Sequence, residues 1–369
     1  MKRTVCIFAA LLLLLSCGNK KEEAVVVNFS REEIPEQQEL RDAEPVVLED
    51  TYNNPLYYWV LQDSIVLANN QSGCEYFLEF FSLRTRQRLL SVGTHGNGPG
   101  EFLNLIAFVP NCQAETFLAI DLNRSLYFEI DWKKTLENKK LEIIRSFRYS
   151  SQTHPQIPPC VLTDSTYLAY NFWYSPDSAH PNNVPEFQIR PMEAPDTIKT
   201  EFLTLHPDME YFPAEVNGAY LFRPFGKEIW AADFHLPRLR LYDDSLHLVK
   251  EIKGPDLYEP EYEVAKANIP IWYLNFANSQ TRLSYYNWCV TRARVYLIYM
   301  GYDGTHMLDE TIPPVEVYAF DPMGIPTACY RLDRFCTNLS LDEKNGFLYA
   351  STKKNVGDNI ELVRYLLKN

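Results

Sequence analysis

The run Gly93-Thr94-His95-Gly96-Asn97-Gly98-Pro99-Gly100-Glu101-Phe102 carries four glycines in ten residues, in a chain that has only 14 in 369. It lies between β-rich runs: Tyr76 to Leu83 and Arg88 to Val92 precede it, and Phe117 to Asp121 follows. A packed strand pattern has to stop here and start again. Glycines open the positive-φ region, and proline stiffens the turn between them. A glycine-rich run can also cradle phosphate, but this one is broken by Pro99 and feeds no helix.

What the turn joins emerges from the rest of the chain. A short apolar strand recurs six times: Ile65 to Asn69, Phe117 to Asp121, Tyr167 to Asn171, Ile229 to Asp233, Val295 to Tyr299 and Phe347 to Ser351. Turn residues precede nearly every copy. A second strand follows each, at Tyr76 to Leu83, Ser125 to Asp131, Glu186 to Arg190, Arg238 to Asp243, Val315 to Asp321 and Asn359 to Leu366. Most units close with a third run, such as Leu141 to Tyr149 or Leu246 to Ile252. The period of roughly 50–66 residues fits repeat units that carry inserted loops. Four-stranded antiparallel sheets arranged radially protect one another's edges. The predicted fold class is therefore all-β: a six-bladed β-propeller of four-stranded antiparallel blades over residues 46–369. A β-sandwich is the competing architecture, but it has no need of a unit that recurs six times. The last unit stops soon after Leu366, so a strand from near Val46-Val47-Leu48 is expected to close the ring. The glycine run then becomes the crossing from the outer edge of the first blade to the centre of the second.

The N-terminus reads as an address. Lys2 and Arg3 precede an apolar run from Val5 to Leu15, which is signal-peptide length and shorter than the ~20 residues of a spanning helix. Residues 1–16 are read as the signal peptide. Residues 17–45, charged and Glu/Gln-rich, are read as a flexible tether. The net charge of −13 argues against nucleic acid, whose phosphates need a basic face. Of the cysteines, Cys74, Cys112, Cys160, Cys289, Cys329 and Cys336 fall in the folded region and form no metal-ligand spacing. They are read as mostly free thiols, with Cys329 and Cys336 the pair close enough in sequence to suspect.

Leu14-Leu15-Ser16-Cys17-Gly18 resembles the lipobox of bacterial lipoproteins, which implies lipidation of Cys17. Lys21-Glu22-Glu23 resembles a surface-export signal. Together with the repeats and the Gly98-Pro99-Gly100-Glu101-Phe102 turn, these resemble the TolB-like or NHL-like six-bladed propeller lipoproteins of gut Gram-negative anaerobes. The resemblance implies a fold and an outer-membrane location, cell-surface or periplasmic, more than a function. Asp121-Leu122-Asn123-Arg124 is similar to the Asp…Asn…Arg hairpin of NHL repeats, and Asp233 with Arg238 is a looser copy. The expected role of these four residues, and of Gly98 and Gly100, is structural: a guanidinium bridges a hairpin and binds carbonyls with several donors.

Standard catalytic motifs are absent, and no cofactor or metal is implied. In a ring, however, blade-joining loops and the loops between second and third strands gather on one face. The candidates for ligand contact there are His95, Tyr174, His206, Tyr211, His235, Trp272, Tyr273, Tyr302, Asp303 and His306, since aromatic rings with polar rims suit sugar or peptide recognition. Their competing role is to pack or solvate the loops. Three functions stay open: a binding module for a glycan, peptide or protein; a carbohydrate-active lyase or hydrolase in the funnel; and a scaffold docking a partner through the 254–287 insertion. That insertion is predicted to hold a short helix around Glu261 to Asn268.

Overall fold

The structure is a computed structural model. It describes residues 24–49, 55–71, 73–109, 111–150, 157–170, 187–202, 218–258, 263–266, 272–275, 282–303, 306, 311–355 and 357–368. Six small, mainly antiparallel sheets form a six-bladed β-propeller. From the axis outward, blade 1 is Pro55–Leu61, Ile65–Asn70, Tyr76–Ser82 and Arg88–His95. Blade 2 is Leu105–Phe108, Thr116–Asp121, Leu126–Asp131 and Ile143–Arg148. Blade 3 is Cys160–Thr163, Thr166–Tyr170, Phe187–Pro191 and Thr200–Phe202. Blade 4 is Ala219–Phe222, Ile229–Asp233, Arg238–Tyr242 and Leu248–Lys253. Blade 5 is Tyr285–Val290, Val295–Tyr299, Glu316–Phe320 and Pro326–Leu332. Blade 6 is Phe335–Asp342, Phe347–Lys353 and Glu361–Leu366. The strand that recurs in sequence is thus the second of each blade, and the innermost strands lie just before it.

Residues 24–45 are not a loose tether. Val25–Asn28 pairs in parallel with the outer strand of blade 4, and Glu36–Leu40 pairs in parallel with the outer strand of blade 5. Glu44–Pro45 is the fourth strand of blade 6, antiparallel to Glu361–Leu366, and Val46 N donates to Leu362 O at 2.8 Å. The two ends of the chain therefore close the ring one step earlier than Val46-Val47-Leu48. The strap holds by backbone pairing plus one buried apolar side chain every few residues: Phe29, Ile34 and Leu40 are buried, while Val25, Val26 and Val27 stay exposed. Arg31 adds an ion-pair clamp, donating to Asp256 at 2.5 and 3.1 Å and to Glu316 at 2.9 and 3.1 Å.

The glycine run is the predicted crossing. Glu101–Phe102 pairs in parallel with the end of blade 1, and Leu105–Phe108 opens blade 2. Gly100 sits at φ +78°, as expected, but Gly98 has no positive φ. Its need is space: Gly98 N donates to Glu101 Oε2 at 2.7 Å, and a Cβ there would press on the same oxygen at 3.0 Å. Arg124 staples the turn, donating to Glu101 O at 2.9 Å and Gly96 O at 2.6 Å. Asp121 accepts from the amides of Leu103 at 2.9 Å and Asn104 at 3.3 Å. Asp233 accepts from Arg238 at 2.5 Å. In the long insertion, Glu263–Lys266 is a strand, not a helix, paired antiparallel with Trp272–Asn275. The aromatic sequence there suits a pleated surface better than a helix.

Candidate functional site

Each blade turns the edge of its innermost strand to the axis, and the axis of this ring is aromatic. A cavity of about 80 Å³ is lined from five blades and from Pro158 in the loop that enters blade 3, with Tyr57, Trp59, Phe108, Tyr220, Tyr286 and Trp288 as its rings and Asn287 and Asn338 as its amides. The sequence of the innermost strands explains the placement. Register shifts fall between Pro55 and Tyr57, between Tyr285 and Asn287, and between Cys336 and Asn338. Bulges of this kind re-aim side chains, and these three stand beside the lining residues. The neighbouring blade answers the disturbed backbone with side chains. Asn287 Nδ2 donates to Thr337 O at 3.0 Å, Asn338 Nδ2 to Tyr58 O at 2.9 Å, and Ser351 Oγ to Tyr58 O at 2.9 Å.

The amides are thus engaged in the frame, whereas the phenols are not. The Tyr57, Tyr220 and Tyr286 hydroxyls make no hydrogen bond to the described residues. Burial, and then the mutual proximity of these phenols, raises the Tyr220 and Tyr286 pKa values, and burial raises that of Tyr57. All three stay protonated and can both donate and accept. Trp288 Nε1 is buried without a hydrogen-bond partner among the described residues. The rings brace one another: Tyr220 lies 4.9 Å from Trp288, Phe222 stacks on Trp288 at 5.1 Å, and Tyr57 lies 5.6 Å from Trp59. Phe234, in the loop between second and third strands of blade 4, packs edge-on to Tyr220 at 4.5 Å. Tyr302, in the corresponding loop of blade 5, has its pKa raised by burial and then by the nearby Tyr286 phenol. These loops make the rim, so the cavity faces the side where the candidate residues were expected.

At the opposite end the axis is crossed. The loop between the first two strands of blade 2 reaches blade 5, where Asn111 bridges to Val290 and Cys112 Sγ lies 3.7 Å from Cys289 Sγ. Beside this crossing, on the side of blades 3 and 4, is a cleft of about 280 Å³ that shares Trp288 and Pro158 with the aromatic cavity and also touches Glu129, Arg145 and Arg223.

The sequence-predicted residues are dispersed around this site. Tyr302 stands at the rim. Asp303 and His306 form a pair near it, with Nε2 to Oδ2 at 3.5 Å. His235 follows Phe234, and burial pushes its imidazole down to about 4. His95 lies away from the axis, exposed at the end of the outer strand of blade 1 and stacked on Phe77 at 6.4 Å. Cys17, Tyr174, His206 and Tyr211 lie outside the described residues. Trp272 and Tyr273 are described as backbone strand only. The lining aromatics themselves went unread, although Tyr57-Tyr58-Trp59 and Tyr285-Tyr286-Asn287-Trp288 each precede a recurring strand and so mark innermost positions.

His235 makes acid sensitivity testable. Its folded pKa lies below the ordinary 6.5, so the unfolded chain takes up the proton first. The stability it contributes is whole above about pH 6.5 and is lost as pH falls towards 4. The expected loss is roughly 1–3 kcal/mol. Urea midpoints at pH 7 and pH 4.5 should fall further for the wild type than for His235→Gln, and equal falls would assign the sensitivity elsewhere.

No family model and no curated protein matches the chain. Solved structures do. A member of the DUF4221 family from Bacteroides vulgatus is similar with a TM-score of 0.55 at 15% identity, over 89% of this chain and 97% of that one. A proposed exported protein from Bacteroides fragilis is similar with a TM-score of 0.52 at 13% identity, over 94% and 100%. At these identities the likeness is one of fold, and it extends over nearly the whole of each chain.

Proposed function

We propose that this protein is an exported, lipid-anchored binding module that takes a sugar ring or short peptide segment into the mouth of its central channel. The observation that carries the reading is the convergence of three unengaged phenol hydroxyls and two indoles around one cavity. Flat apolar faces with donors at their edges suit a ligand that is itself flat, apolar on its faces and polar at its rim. A funnel hydrolase or lyase needs two positioned acid–base groups. The described lining residues offer no carboxylate and no imidazole to pair with the phenols, which favours recognition.

The signal sequence and the Bacteroides fragilis neighbour support export, and the lipobox at Cys17 supports an outer-membrane anchor, with Lys21-Glu22-Glu23 favouring the cell surface. Among the described residues no helix is long and apolar enough to cross a membrane. Val25, the first strap strand, lies eight residues after Cys17, a reach of at most ~28 Å. An acyl anchor would therefore hold the propeller close to the bilayer, with no long stalk between them.

The test is a thermal-shift and tryptophan-fluorescence screen against oligosaccharides and peptides. Any ligand found should bind at least about tenfold more weakly to the double variant Tyr220→Phe, Tyr286→Phe, which removes two hydroxyls and leaves the rings. A screen with no hit, or a hit whose affinity the double variant leaves unchanged, would move recognition off the channel.

A further inference from the structure

We infer that Cys112 and Cys289 are the site of a disulfide that staples blade 2 to blade 5 across the ring. Blades 2 and 5 stand opposite each other among six. The two cysteines are 177 positions apart, yet their sulfurs are 3.7 Å apart in the reduced chain. The contact has support on both sides. Asn111 bridges to Val290 in parallel, which holds the loop against the strand that carries Cys289. Cys112 Sγ also donates to Ser340 Oγ at 3.3 Å, and Gln62 N donates to Cys112 O at 2.8 Å, which fixes the loop against blades 6 and 1. Bond formation needs the sulfurs to approach to about 2.05 Å and the two Cα atoms to lie within about 7 Å.

Among the described residues, the other thiols have no such partner. Cys336 donates to Asn338 O at 3.0 Å in the innermost strand of blade 6, while Cys329 lies in the outermost strand of blade 5. Proximity in sequence therefore does not make Cys329–Cys336 the pair. Burial pushes Cys160 and Cys336 up to about 12 and Cys329 up to about 11, and the Cys112 contact together with burial raises Cys289 as well, so it is the sulfur–sulfur distance that selects the pair.

The chemistry is thiol–disulfide exchange with a disulfide donor of the exported compartment. One thiolate attacks the donor disulfide and expels a donor thiolate. The second thiolate then attacks the mixed disulfide, forming Cys112–Cys289 and releasing the second donor thiolate. Two protons leave the cysteines, and two electrons reduce the donor. Cys112 and Cys289 are 1% and 0% exposed in the folded ring, so exchange belongs to folding, before the loop seats. The product would fasten the floor beneath Trp288, the residue next to Cys289, and close a second long loop in addition to the strap.

The experiment is to refold the full chain in a mixture of oxidised and reduced glutathione, block thiols with an alkylating agent in denaturant, and map the digest by mass spectrometry. The expected result is a linked peptide pair joining Cys112 to Cys289, with Cys74, Cys160, Cys329 and Cys336 alkylated. Protein refolded under reducing conditions should melt about 5–10 °C below the oxidised protein. Cys112→Ser and Cys289→Ser should each lose that shift, with the remaining partner alkylated. Alkylation of both cysteines in the refolded wild type, or a linked pair elsewhere, overturns the assignment.

Discussion

Replacing Asp233 by alanine should cost about 3–5 kcal/mol and lower the melting temperature by on the order of 10 °C, while the conservative Arg238→Lys costs much less. Asp233 is fully buried at the end of the second strand of blade 4. One of its oxygens accepts from Arg238 Nε at 2.5 Å, and the other from Arg240 Nη2 at 2.6 Å and Nε at 3.1 Å. Arg240 is itself fully buried. Its guanidinium lies 5.3 Å over the Phe187 ring of blade 3, and it donates to the Tyr242 hydroxyl at 3.2 Å. Two guanidiniums thus meet on one buried carboxylate, and Arg238 also lies 3.9 Å from Glu251. The attraction within such a group roughly offsets its desolvation, so the triad adds little net stability while intact. Removing the anion alone leaves both guanidiniums buried without it, and that is the expensive state. The double variant Asp233→Ala, Arg240→Met should recover part of the loss, because it removes a buried charge along with its partner. Chemical denaturation of the three variants measures both effects. A cost below about 1 kcal/mol for Asp233→Ala would show that the carboxylate does not neutralise this joint.

The same residues show how far the sequence could be read. Asp121 and Asp233 end recurring strands, and each carboxylate accepts hydrogen bonds beside its strand end. Asn69, at the equivalent place in blade 1, does it with an amide. Its Nδ2 donates to Leu105 O at 3.1 Å and its Oδ1 accepts from Ala107 N at 2.9 Å, so it ties blade 1 to blade 2. A polar residue closing an apolar strand was the legible signal, because a buried polar group must find partners. The innermost strands were illegible for a related reason. Leu105–Phe108 and Cys160–Thr163 are four residues each, too short for their pattern to stand out, and bulges interrupt the longer ones. The cavity follows from those strands, so its aromatics could not be assembled without them. Gly98 shows a different limit: composition marked it correctly as special, but the reason is the Glu101 carboxylate packed against it, which only coordinates reveal.

Deleting residues 1–45 should have the largest effect of all, leaving a chain that does not fold cooperatively or that aggregates at its open edge. The strap was hidden because its strands bury one side chain in several and look like solvated linker. Its contribution is nonetheless large. Phe29 sits edge-on to Tyr318 and Phe320, at 5.9 Å from each. Ile34 and Leu40 are 3% and 4% exposed. At ~1.5–3 kcal/mol for each large apolar side chain, these three alone are worth about 5–9 kcal/mol, comparable to the whole stability of an ordinary domain. The backbone adds a topological term. Without Glu44–Pro45, blade 6 ends at Glu361–Leu366, and the strand edge that the ring was built to hide lies open. The Arg364 pair with Glu44, at 2.8 and 2.9 Å, goes with it. The single variant Phe29→Ala separates the packing term from the closure term: it should cost about 3–5 kcal/mol and leave the pairing of blade 6 intact. Circular-dichroism melts and size-exclusion chromatography of the 46–369 fragment, Phe29→Ala and the full chain make the comparison. A fragment that is monomeric and melts with the full chain would mean that the ring closes without its strap. If instead Phe29→Ala melts well below the full chain and the fragment fails outright, the first residues of the described chain are the clasp of the propeller, and a lipid at Cys17 would be anchored directly to it.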